Sequence, residues 1–195
     1  MLHLGDGEDR LGPMHEALAG SDLPRHSFYP THVNRSSALL AEAAAFAAQG
    51  GYIDITVSTT PELIAAGDLP PLDAFKEALA QGAPAQQVTF SSDAGGSLPL
   101  YEQGELRGLT AASPMAMLNI LQEAMAREPE LVAQVIAALT INPANALALP
   151  EVGRLHCGGR ADLLLVDADG GQLRSVMCGG RWLLRDGKIQ EHISL

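Results

Sequence analysis

The chain has 195 residues, 47% of them hydrophobic, and a formal net charge of −11. That length and apolar content suit one medium domain, or one domain with a small appendage, and exclude a disordered polymer. The acidity excludes a basic face for nucleic acid and a polybasic patch for anionic lipid.

The opening "MLHLGDGEDR" has no basic n-region and no long apolar run, so a signal peptide is not expected. No window holds the roughly 18 uncharged apolar residues of a membrane helix. A cytoplasmic protein is expected. The apolar pair before "GDGED" reads as a strand terminus at His3. "SFYPTHV" reads as a strand, and "ALLAEAAAFAAQG" as an alanine-rich helix closed by Gly50 and Gly51. "YIDITVS" and "QVTFSSD" are further strands, with the helix "PLDAFKEALAQG" between them. These strands read as mostly apolar, which predicts a parallel sheet buried on both faces, and their alternation with helices predicts βα architecture.

"ASPMAMLNILQEAMARE" reads as a helix with Met115, Leu118, Leu121 and Met125 as core filler. "ELVAQVIAALTINPANALAL" adds one or two helices, with a break expected near Asn142–Pro143. After Pro150 the texture changes to three short strands joined by glycine-bearing turns: "RADLLLVDADG", "QLRSVMCGG" and "RWLLRDGKI". Two domains are therefore expected: residues 1–149 with βα architecture and residues 150–195 as a small β module. Cys157 and Cys178 form no CxxC pair and are expected as buried, reduced thiols.

Three residues stand where βα proteins place chemistry, at the C-terminal ends of strands: His3, His32 and Asp93. Taken alone, either histidine reads more readily as a hydrogen-bonded structural residue, and Asp93 beside Gly95 and Gly96 as a turn residue. Together on three strand ends they read better as a metal site, because neutral imidazoles plus a carboxylate suit zinc and leave room for water. Arg35, three residues past His32, is placed to grip a substrate carboxylate bidentately, or equally to form a surface ion pair. Ser97 is either a loop hydroxyl donor or a turn serine. His15, His26, His156 and His192 have no such placement and are expected to be surface or structural residues. "GDGED" lacks calcium-loop spacing, and no GxSxG, P-loop or GxGxxG motif is present.

"LHLGD", "PTHVNR" and "TFSSDAGGS", followed by "NPANALAL" and "GRADLLLVD", closely resemble the C-terminal half of the isoaspartyl dipeptidases, a family of the amidohydrolase superfamily of metal-dependent hydrolases. The resemblance runs along essentially the whole chain. It implies the C-terminal half of a (β/α)8 TIM barrel, from the end of strand five through strand eight, followed by part of a composite β-sandwich. It implies zinc, two ions in the complete family site, with His3, His32 and Asp93 as the ligands after strands five, six and eight. Arg35 and Ser97 match substrate-binding residues, and Asp93 matches the general base and acid that passes a proton from water to the leaving amine. The activity implied is hydrolysis of β-aspartyl dipeptides, with a small dipeptide as partner and a homo-oligomer in the full-length form.

Two departures stand out. The family loop after the aspartate reads Gly-Asn-Gly, where this chain has Ala94, Gly95 and Gly96. The family's HxH pair and bridging lysine have no match, since Lys76 falls in a helix and Lys188 in the terminal module. A fragment, or a gene that has lost its first half, is therefore expected, with little activity alone. Another amidohydrolase, deacetylase or dihydroorotase-like, and a catalytically dead remnant serving as a binding subunit are the alternatives.

Overall fold

The computed structural model describes residues 1–190 apart from Asp6 and Gln103, and it divides into two compact units, Met1–Ile120 and Leu121–Leu195. His192 lies outside the described residues.

The first unit is built on a parallel sheet in the order β1-β2-β3-β4. Its elements are β1 (Leu2–His3), α1 (Gly12–Ala19), β2 (Pro30–Thr31), α2 (Ser37–Ala48), β3 (Ile53–Thr56), α3 (Pro61–Ala66), α4 (Pro71–Ala80) and β4 (Val88–Ser91). A hairpin of β5 (Ser97–Glu102) and β6 (Glu105–Ala111) follows, and α5 (Ala116–Arg127) runs across the boundary into the second unit.

Strands β3 and β4 are buried on both faces, as expected, but alternate apolar and polar residues where mostly apolar runs were expected. β3 reads Ile-Asp-Ile-Thr and β4 Val-Thr-Phe-Ser. Because successive side chains point to opposite faces, one face carries Ile53, Ile55, Val88 and Phe90. The other carries Asp54, Thr56, Thr89 and Ser91. Register places like beside like: Ile55 pairs with Phe90, Asp54 with Thr89 and Thr56 with Ser91. The apolar face is covered by helices, with the Phe75 and Phe90 rings 5.2 Å apart.

Helix α2 begins because the Ser36 hydroxyl accepts from the Leu39 amide, and it buries Leu39, Leu40, Ala43, Ala44 and Ala47 at helical spacing. Gly51 returns the chain against the Phe46 ring so tightly that a Cβ there would lie 2.1 Å from a ring carbon. In α5 the buried residues are Ile120, Leu121 and Ala124, while Met115 precedes the helix and is exposed.

The second unit carries α6 (Val132–Leu139), α7 (Ile141–Ala146) and an antiparallel sheet of β7 (Leu163–Val166), β8 (Leu173–Cys178), β9 (Arg181–Arg185) and β10 (Lys188–Ile189), in the order β10-β9-β8-β7. The helix break falls at Thr140, not at Pro143. Pro143 is the third residue of α7, where the amide it lacks would have had no intrahelical partner. Two hairpins close on two-residue loops, Gly179-Gly180 and Asp186-Gly187, with φ positive at all four residues. That is the turn geometry that matches strand twist. Cys157 and Cys178 are free, as expected, but exposed rather than buried. Among the described residues no helix is long and apolar enough to cross a membrane.

Candidate metal centre

His3 closes β1, His32 directly follows β2, and Asp93 lies two residues past β4. One ligand atom from each lies within 4.8 Å of the other two. Parallel strands put their C-terminal ends on one edge of the sheet, so three separate apolar runs deliver their terminal polar residues to one place. His3 is exposed, His32 buried and Asp93 half-buried, which gives a mouth open on one side.

Local backbone geometry brings the side chains in. His32 has φ 65° and Asp93 φ 49°, both left-handed, a region uncommon for residues other than glycine. At His32 the turn takes the chain out of the sheet after a single ladder pair, Thr31 with Asp54. The Asn34 side chain then continues the ladder in place of a strand. Its Oδ1 accepts from the Thr56 amide at 3.1 Å, and its Nδ2 donates to the Thr56 carbonyl at 3.2 Å. Nδ2 also faces the Leu69 carbonyl and Thr59 Oγ1, and the Leu69 amide donates to the Asn34 carbonyl.

The imidazoles are arranged for coordination. His32 Nδ1 meets Thr56 Oγ1 at 2.6 Å, which leaves Nε2 facing His3 Nδ1 at 2.9 Å. If Nδ1 carries the hydrogen and donates to Thr56, Nε2 offers its lone pair to a metal. Burial, then the Arg35 charge and His3, hold the His32 pKa below the ordinary imidazole value, against the opposing pull of Asp93. The ring is therefore neutral at neutral pH, the form that binds metal. Two imidazole nitrogens and a carboxylate oxygen fit zinc chemically.

Beneath this edge lies Asp54, 0% exposed, its carboxylate accepting from Thr31 and Ser91 at 2.5 Å each and from Thr89 at 2.7 Å. Burial raises its pKa to about 6, against the lowering effect of those three hydroxyls and of His3.

Arg35 is half-buried beside His32, and its Nε is buried without a hydrogen-bond partner among the described residues. A buried guanidinium donor with nothing to bind suits an incoming anion. Ser97 opens β5, exposed, and its hydroxyl joins no hydrogen bond among the described residues. His15 rests edge-on against Phe46, while His26 and His156 are exposed.

Gly96 makes room for the Asp93 carboxylate itself. A Cβ there would lie 2.4 Å from Asp93 Oδ2 and 2.8 Å from the Asp93 carbonyl, so the aspartate folds back into the space that glycine leaves. Gly96→Ala is expected to push the carboxylate away and weaken zinc binding about tenfold, the low end of what disturbing a ligand's support costs. Calorimetric zinc titration of the variant checks this, and unchanged affinity would mean that the carboxylate does not bind from this position.

The model of the amidohydrolase family matches residues 29–183. The chain belongs to the amidohydrolase family. Among solved structures, this amidohydrolase is similar to a beta-aspartyl dipeptidase from Fervidobacterium islandicum AW-1 in complex with a beta-Asp-Leu dipeptide, at 31% identity and a TM-score of 0.82. The alignment covers 99% of this chain and 50% of that one. A second structure of beta-aspartyl dipeptidase from the same organism gives 28% identity and a TM-score of 0.80, covering 99% and 47%. An adenosine deaminase from Xanthomonas campestris with bound zinc shares the fold at 14% identity and a TM-score of 0.59, covering 97% of this chain and 46% of its own. The chain thus spans about half the length of the dipeptidases it matches.

Three residues of this site were missed in the sequence: Asp54, Thr56 and Asn34. The signal for Asp54 was present, a carboxylate alone in the middle of the strand-like run "YIDITVS".

Proposed function

We propose that this amidohydrolase carries the C-terminal part of a zinc-dependent active site for hydrolysing the isopeptide bond of β-aspartyl dipeptides. The observation that carries the reading is the convergence of His3, His32 and Asp93 at the C-terminal ends of parallel strands. The four consecutive parallel strands are read as strands five to eight of a (β/α)8 barrel. The antiparallel module from residue 150 onward is read as part of a composite sandwich. The 31% identity to an enzyme holding a beta-Asp-Leu dipeptide supports the substrate class.

His3, His32 and Asp93 would hold zinc. When bound, zinc lowers the pKa of water and polarises a carbonyl. Asp93 takes a proton from the attacking water at its carboxylate and returns it to the leaving amine, acting as base and then acid. Arg35 binds a carboxylate of the dipeptide through its fork of N–H donors, and Ser97 adds a hydroxyl to the same carboxylate. In the complete protein a homo-oligomer is proposed, in the cytoplasm, with small dipeptides as partners.

The chain alone, with three of the family's ligand positions, is expected to show negligible turnover. Fusing it behind the N-terminal half of the Fervidobacterium dipeptidase should yield an enzyme that releases leucine from β-Asp-Leu but not from α-Asp-Leu. A folded, zinc-loaded fusion without that activity would overturn the reading. In the fusion, Arg35→Lys should raise KM roughly tenfold or more, since a point charge replaces a bidentate fork, with kcat changed less. Its zinc content should not change; loss of zinc would move Arg35 from substrate to metal.

A further inference from the structure

We propose that Asp54 is a positioning residue of the metal centre, its carboxylate holding the strand ends that carry His32 and Asp93 in fixed relation. The proposal rests on the reading of His3, His32 and Asp93 as ligands.

Asp54 lies on β3, between the strands that deliver those two residues. Thr31, whose hydroxyl donates to Oδ2, immediately precedes His32; Ser91, which donates to the same oxygen, lies two residues before Asp93. One buried oxygen therefore links the roots of both ligands. The link has mechanical weight because β2 and β3 share only the ladder pair Thr31–Asp54 before the chain turns away.

Donor and acceptor counting shows why a carboxylate stands here. An ionised carboxylate accepts only, so it orients every hydroxyl around it. Thr89 Oγ1 faces two acceptors, Oδ1 at 2.7 Å and the Ile53 carbonyl at 3.1 Å, and so accepts from Tyr29 Oη at 2.5 Å. Thr31, Ser91 and Thr89 thus face Asp54, with Tyr29 behind Thr89. An asparagine in its place would turn an N–H₂ group toward one side of this ring and reverse at least one hydroxyl. A sheet that needed only stability would use an apolar residue here, because burying a carboxylate is costly even when it is well satisfied. The negative charge also lies directly under a cluster of two imidazoles that would hold a dication, where it favours the loaded state.

Cobalt(II) serves as the probe, since its visible d–d bands report ligand geometry. The full chain, Asp54→Asn, Thr31→Val, Thr31→Ser and His32→Ala are titrated with it. Valine matches threonine in shape but lacks the hydroxyl, whereas serine keeps it. Asp54→Asn and Thr31→Val are expected to bind roughly 10–100-fold more weakly, with shifted bands. Thr31→Ser should keep the wild-type bands. If folded Asp54→Asn and Thr31→Val melt lower but bind with unchanged affinity and bands, Asp54 only holds the sheet together and the proposal is wrong. Should Asp54→Asn fail to fold, the Thr31→Val and Thr31→Ser pair decides between these outcomes. Wild-type binding no tighter than that of His32→Ala would instead overturn the metal reading, and the proposal with it. That result differs from tight binding that ignores position 54.

Discussion

His32→Ala should reduce zinc affinity by roughly 100-fold or more, beyond the 10–100-fold that accompanies loss of a supporting residue. Of the three proposed ligands, the His32 imidazole is the one that is buried, and it is held on its far side by a hydrogen bond. Most of its cost of ordering is met when the chain folds, so its removal takes away the best-organised donor. The variant should still fold. It loses the contacts to Thr56 and His3, leaving Thr56 Oγ1 beside a small space that water can fill, at a cost of about 1–2 kcal/mol. Zinc calorimetry and urea unfolding together check both statements. Undiminished zinc binding would show that the metal, if any, sits elsewhere.

Asn34→Ala should have the largest effect on stability. Asn34 is 2% exposed and serves as a piece of strand, satisfying the amide and carbonyl of Thr56 and facing the Leu69 carbonyl. Alanine removes these partners, leaving the Thr56 carbonyl with the Thr59 hydroxyl at 3.4 Å, and each buried group left unsatisfied costs about 1–3 kcal/mol. Some overlap is expected because the two Nδ2 hydrogens are shared among three acceptors. A total loss of roughly 3–5 kcal/mol is expected, equivalent to about 10 °C or more in Tm for a chain of this size. Zinc affinity should fall as well, because Thr56 also anchors His32. A loss below about 1 kcal/mol, small even for a single hydrogen bond, would contradict the strand-substituting role.

Much of this arrangement was readable before any coordinates. The cores of α2, α4, β3 and β4 and the Gly-Gly hairpin carry their own signals, in apolar spacing, a serine cap or a two-residue turn, whereas the Asp186-Gly187 turn splits into two strands a run that was read as one. His3, His32 and Asp93 were legible because each ends an apolar run, and a βα fold converts shared placement at strand ends into shared position in space. Other features were hidden for physical reasons. Asp54 and Thr56 occupy alternate positions in a short strand whose isoleucines dominate the eye. Their burial becomes possible only through hydroxyls on neighbouring strands. Asn34 imitates backbone, which no periodicity reveals. The β5–β6 hairpin was missed because Pro99 and Gly108 argue against strands and its apolar residues, Leu106 and Leu109 among them, are exposed. Helix α1 follows a glycine-rich loop and starts on Gly12-Pro13, which reads as turn rather than as helix.

The central claim is that His3, His32 and Asp93 bind one metal ion together. X-ray absorption of the full chain loaded with one equivalent of zinc tests it most directly. The expected spectrum has a first shell of nitrogen and oxygen near ~2.0–2.1 Å, with outer-shell scattering from two imidazole rings that drops to one ring in His3→Ala. A first shell of oxygen alone, or two-ring scattering that survives both His3→Ala and His32→Ala, would contradict it.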